Sequence, residues 1–168
     1  GDLYDVLLMV GPEVDSQHLV SAQTQLEREA LKVRDIITNI TDLTAVVIAN
    51  KVLISGVLSK EIYYVGTDGI NYNQSVSIEF STFVDYPGAL PGNEALIDPI
   101  IQYEHFELSG SLLQHKTLLH FRVIVVQHLF TPIELDGGPE LLLPRVVVQN
   151  SVQLMLSQDK RVKKQIIV

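Results

Sequence analysis

Two-residue alternation of apolar and polar side chains dominates the chain and is cleanest over residues 70–81. There Ile70, Tyr72, Gln74, Val76, Ile78 and Phe80 share one parity, while Asn71, Asn73, Ser75, Ser77, Glu79 and Ser81 take the other. Successive side chains of a strand point to opposite faces, so this run predicts a half-buried β-strand. Residues 52–65 alternate less strictly but are rich in Val, Ile and Tyr. They end at Gly66-Thr67-Asp68-Gly69, whose Asp-Gly pair suits a tight antiparallel turn. Ala49-Asn50-Lys51 makes a second short turn between residues 46–48 and Val52. Ser109-Gly110-Ser111 separates two further strands, the second placing Leu113, Leu119, Phe121, Val123 and Val125 on one face. About five strands at hairpin spacing over 44–127 predict an all-β fold, an antiparallel β-sandwich or barrel-like module.

Between these strands lies Tyr86-Pro87-Gly88-Ala89-Leu90-Pro91-Gly92-Asn93. Proline lacks a donor and glycine favours positive φ, so Pro87-Gly88 and Pro91-Gly92 predict a shaped loop. Phe80, with Phe83 or Val84, is expected to anchor this loop to the core, and Asp85 to cap loop amides. The flanks divide the chain into an N-terminal extension (1–30), the β module (31–127) and a C-terminal β extension (128–168). Residues 15–34 also fit a helix, with Asp15 as N-cap and Leu19, Ala22, Leu26, Ala30 and Val33 at helical spacing. The strand-favouring Ile36, Ile37, Thr38, Ile40 and Thr41 argue for strand from about 31 and leave 15–30 open. After Asp136-Gly137-Gly138-Pro139 the C-terminal part holds short apolar runs at 141–143, 146–148, 152–156 and 166–168.

Composition narrows the function classes. A chain with 46% hydrophobic and 19% charged residues is not bulk disorder, and its apolar surplus favours self-association. Net charge -8 argues against nucleic acid. No apolar run approaches membrane-spanning length, and no basic region opens the chain in the manner of a secretory signal. With no cysteine there is no disulfide, thiolate nucleophile or zinc–thiolate site.

Catalytic motifs are not visible: there is no Gly-x-Ser-x-Gly, His-Glu-x-x-His or phosphate-binding glycine loop. No catalytic, cofactor or metal residue is therefore assigned. Of the five histidines, His115 and His120 fall on opposite strand faces, and His105 beside Glu104 and Glu107 is the most ligand-like group. Asp85, Asp98 and Glu104 are the conceivable carboxylate set for hydrolysis, and Tyr63, Tyr64, Tyr72, Tyr86 and Tyr103 a conceivable sugar platform. Structural packing is the preferred reading of both. Asn39-Ile40-Thr41 and Asn73-Gln74-Ser75 match a glycosylation pattern by chance. The basic cluster Lys160, Arg161, Lys163 and Lys164 suits either a charge-guarded edge strand or a contact with an acidic neighbour.

Several strings resemble the SPOCS domain, a family of spore-coat and spore-envelope proteins of endospore-forming Firmicutes. Ala30-Leu31-Lys32-Val33 is similar to the family's lead-in, and Lys51-Val52-Leu53-Ile54-Ser55-Gly56-Val57-Leu58 to its next strand. Lys60-Glu61-Ile62-Tyr63-Tyr64-Val65 with Asp68-Gly69 resembles the following hairpin. Phe80-Ser81-Thr82-Phe83-Val84-Asp85-Tyr86-Pro87-Gly88-Ala89, followed by Pro91-Gly92, is close to its most recognisable string. The resemblance spans about 31–127. It implies a non-enzymatic structural role at the spore surface, with itself and other spore-envelope proteins as partners. A self-assembling coat, exosporium or filament subunit is the first expectation. An adaptor that does not polymerise and a carbohydrate-binding module are the alternatives. Leu3, Tyr4, Val6, Leu8 and Val10, together with Ile166 and Val168, are the candidate donated strands, since an open sheet edge is a template for a strand from another chain.

Overall fold

The computed structural model describes residues 3–132 and 165–167, with side chains from 6 to 129. All regular structure among them is strand: β1 Leu3–Met9, β2 Val14–Gln25, β3 Ala30–Ile48, β4 Lys51–Gly66, β5 Asn71–Asp85, β6 Glu94–Ser109, β7 Leu112–Pro132 and β8 Gln165–Ile167. The helical reading of 15–34 is overturned. Residues 14–25 form β2, whose alternating side chains face the core and solvent in turn, and Asp15 accepts from His120 on β7 instead of capping a helix. Period-two burial prevails there because β7 offers a full antiparallel ladder, Val14 opposite Val123 through Gln25 opposite Leu112.

Two sheets result. Sheet B is the meander β3-β4-β5, with pairs from Val47↔Val52 to Tyr64↔Tyr72 and register shifts in the β3–β4 ladder, one of them between Thr41 and Thr44. Sheet A is built on β7: β6 pairs along one edge, and β2 and β1 lie end to end along the other. β8 adds to β1 in parallel. The N-terminal segment thus supplies two strands of sheet A, and the fold runs across the boundary expected at residue 30. The sheets face each other, with side chains of β4 meeting those of β7 in the core. β3 lies beside β6 and β5 beside β2, but no ladder closes either seam. Side chains bridge them instead: Thr38 donates to Glu104 (2.8 Å) at one, and Gln74 donates to the Gln25 carbonyl (3.1 Å) at the other.

The larger core cluster gathers Val52, Ile54 and Leu58 of β4 with Leu119, Phe121, Val123 and Val125 of β7. A second, at the opposite end, holds Leu26, Ala30, Ile62, Tyr64 and Leu113. Within the first, Phe80 lies directly across from Gly56. A Cβ at Gly56 would sit 2.7 Å from the Phe80 ring, so the glycine leaves space that the aromatic fills. Gly56→Ala is expected to cost about 1–3 kcal/mol, the usual penalty of overpacking, measurable by urea denaturation.

Candidate functional site

The Phe80–Gly92 string is an architectural joint. Phe80, Val84, Tyr86 and Ala89 are buried and fasten it to the core. Phe83 is not an anchor. It points out of sheet B at 58% exposure, because strand alternation sends 80, 82 and 84 one way and 83 the other. Pro87-Gly88 and Pro91-Gly92 form two turns, with Gly88 (φ 91°) and Gly92 (φ 94°) in the left-handed region. The expected capping by Asp85 is also corrected. Its carboxylate takes the Lys51 ammonium, directly opposite on β4. The loop amides are met elsewhere: Gly88 N–H donates to Asn50 Oδ1 and Leu90 N–H to Asn93 Oδ1, each at 3.0 Å.

The tyrosines form no common platform. Tyr64 and Tyr86 are buried, Tyr72 donates to Asp68, and Tyr63 and Tyr103 face outward from opposite sheets. Asp85, Asp98 and Glu104 are likewise dispersed, paired with Lys51, Arg122 and Lys60 respectively. His105 meets Glu107 at 3.2 Å on the surface, while Glu104 turns the other way. Among the described residues no group of three His, Cys, Asp or Glu is placed to hold a metal ion.

The strongest concentration of chemistry is a polar belt between the two core clusters. Lys60 lies in the apolar row of β4, between Leu58 and Ile62, and its residue is 3% exposed. Its ammonium contacts His115 Nδ1 (3.0 Å) and Thr117 Oγ1 (2.7 Å) on β7 and Glu104 Oε2 (3.5 Å) on β6. His115 Nε2 meets Thr24 Oγ1 of β2 at 2.9 Å, and Thr38 of β3 and Thr117 both donate to Glu104. Five strands thus contribute to one network, which satisfies polar groups that would be costly to bury alone. Burial pulls the Lys60 pKa below its ordinary value, against the opposing pull of Glu104. Burial first, then the Lys60 charge, brings His115 down to about 4. Neutral His115 suits the geometry: Nδ1 accepts from Lys60 while the Nε2 proton goes to Thr24.

Glu104 was named from sequence, but beside the wrong neighbours. The cause is a bulge between Ile101 and Tyr103 on β6. One extra residue flips every later side chain to the other face, so Tyr103 turns outward beside Leu118 and Glu104 inward opposite Thr117, while the extra residue Gln102 bonds Gln17.

The candidate assembly strands pair within the chain. Leu3 and Tyr4 stand opposite Pro132 and Thr131, and Val6 and Leu8 opposite Leu129 and Gln127. Val6 and Leu7 are both buried, and Val10 N–H donates to the Val125 carbonyl. Ile166 stands beside Val6 in β8. Val168, Lys160, Arg161, Lys163 and Lys164 lie outside the described residues. No helix among the described residues is long and apolar enough to cross a membrane.

The architecture is that of an open, two-sheet antiparallel β-domain whose polar groups tie strands together. Residues 29–109, just under half of the chain, match the family described as SipL, SPOCS domain, which supports the resemblance to that family and suggests a spore-related role. The match takes in all of sheet B and β6, whereas β1, β2 and β7, which complete sheet A, lie outside it. No curated protein and no solved structure gives a significant match.

Proposed function

We propose that the chain is a non-enzymatic structural subunit of the spore envelope that self-assembles into a coat layer, exosporium or filament by exchanging its terminal strands. The observation that carries this reading is the make-up of one edge of sheet A. Along the 126–132 half of β7 that edge consists of the two terminal segments alone, β1 and then β8. Backbone pairing of this kind is indifferent to which chain supplies the strand, so the same seat accepts β1 of a neighbour. The reading treats the Lys60–His115–Glu104 belt as architecture.

The absence of native cysteine allows a clean test. Leu8 and Gln127 are direct antiparallel partners, within disulfide reach. Chains carrying Leu8→Cys and chains carrying Gln127→Cys, refolded together and oxidised, are expected to cross-link between chains in assembled material. Cross-links that form only within a chain carrying both substitutions would rule strand exchange out. A wild-type chain that stays monomeric at every concentration would select the adaptor reading instead.

A further inference from the structure

The β3–β4 ladder slips between Val33 and Asp35, which makes Arg34 the extra residue of a bulge on the edge strand of sheet B. A bulge re-aims the side chain it carries. Arg34 here lines a cavity of about 500 Å³ together with Asp35, Ile37, Tyr63 and Asn71, a size typical of small-ligand sites. Asp35 stands directly across from Tyr63. Tyr63 is 37% and Ile37 48% exposed, so apolar surface is open at the cavity wall. Arg34 and Asp35 bring a guanidinium and a carboxylate to adjacent positions, yet neither has an ion-pair partner among the described residues. Arg34 donates to Asn71 Oδ1 (3.1 Å), and Asp35 Oδ1 accepts from the Ile36 N–H (2.9 Å). Four of the five guanidinium N–H groups, the second Asp35 oxygen and the Asn71 amide N–H groups therefore stay available.

From this we infer that the cavity binds a neutral saccharide, a pyranose unit of a glycan, with Tyr63 against the sugar ring and Arg34, Asp35 and Asn71 sharing its hydroxyls. A hydroxyl both donates and accepts, so it can bridge a guanidinium and a carboxylate that do not pair with each other. The carbon face of a pyranose is apolar and suits the exposed ring of Tyr63. Tyr63 acts singly here and needs no platform of tyrosines. Charge argues for a neutral ligand. The cavity holds one charge of each sign, and around it Arg28 and Lys32 stand against Glu27, Glu29, Glu61 and Asp68. An anion finds no basic excess, and a cation meets Arg34 at the wall. Glu61 is moreover engaged by Asn73 and Ser75, and Asp68 by Tyr72, which leaves Asp35 as the open acceptor. Such a site would hold a structural subunit on a glycan-bearing surface. The inference goes beyond the self-assembly reading and does not depend on it.

The probe is an N-acetylglucosamine oligomer, a neutral pyranose chain, followed by saturation-transfer NMR, which reads binding to monomer and assembly alike. Transfer to the sugar ring protons is expected with the wild type and with Tyr63→Phe, which keeps the aromatic ring. Tyr63→Ala and Arg34→Gln, on different strands, are each expected to weaken binding about tenfold. Tyr103→Ala removes a more exposed tyrosine (58%) from sheet A and should bind like the wild type. Circular dichroism checks the fold of each variant, and Arg34→Gln decides alone if Tyr63→Ala does not fold. The inference is overturned by a wild type that shows no transfer, or by transfer that a folded Tyr63→Ala or Arg34→Gln leaves unchanged. Equal weakening by Tyr103→Ala overturns it as well, since the contact would then be that of any surface tyrosine. So does preference for a galacturonate oligomer, which would make Arg34 an anion site. None of these outcomes bears on whether the chain assembles.

Discussion

Between pH 6.5 and pH 4 the domain is expected to lose about 3 kcal/mol of stability through His115 alone. In the fold this imidazole stays neutral down to about pH 4, whereas in the unfolded chain it takes up a proton near 6.5. Inside that window the unfolded state binds more protons, so stability falls as pH falls. The cause is geometric. Protonation would turn Nδ1 from acceptor to donor while it faces the Lys60 ammonium at 3.0 Å, setting two cations together in a site that admits little water. Other carboxylates titrate at the lower end of the window, so the measurement is a difference. Urea midpoints of wild type and His115→Gln are compared from pH 7 to pH 4. The glutamine can still accept from Lys60 and donate to Thr24, but it does not titrate. The stability gap should move by about 3 kcal/mol toward the variant as the pH drops. Parallel curves would show that His115 is not held neutral by this site.

How far the fold is legible in the sequence depends on whether local pattern or distant pairing decides. β5 and the turn at Gly66–Gly69 are plain because alternation and turn chemistry agree with the final structure. β2 is ambiguous because Leu19, Ala22 and Leu26 fall at helical spacing, whereas in the strand Leu19 points outward and Ala22 inward. The ladder with β7, distant in sequence, decides it. The polar belt left a readable trace: Lys60 falls in phase with Leu58 and Ile62, and His115 and Thr117 in phase with Leu113 and Leu119. A charge in an apolar phase that the strand cannot avoid burying is a signal to seek its partners. Glu104 carries no such trace, since only the bulge at Gln102 brings it inward. Phe83 shows the converse. It sits in the string that resembles the family most closely, yet faces solvent, so recognisability did not tell core from surface.

The belt also predicts an inversion of the usual order of mutant stabilities. Glu104→Ala removes the only carboxylate bonded to Lys60 among the described residues and leaves the ammonium with Thr117 and neutral His115. Breaking a buried pair from one side typically costs 3–5 kcal/mol. Because the Glu104 side chain is 30% exposed and its removal admits water toward Lys60, the lower figure, about 3 kcal/mol, is expected. Lys60→Met removes the buried charge itself and keeps the volume of the stem among Leu58 and Ile62. Glu104 remains held by Thr38 and Thr117 and partly hydrated, so this change should cost at most about 1 kcal/mol. Adding Lys60→Met to Glu104→Ala should then recover stability, making the double variant more stable than Glu104→Ala alone. A double-mutant cycle by chemical denaturation measures the coupling directly. Additive losses would mean that Lys60 reaches water in the fold and that the belt is a row of independent contacts. Recovery would mean that sheet A and sheet B are held in register by one charge and its partners, with Glu104 the group that makes burying Lys60 tolerable.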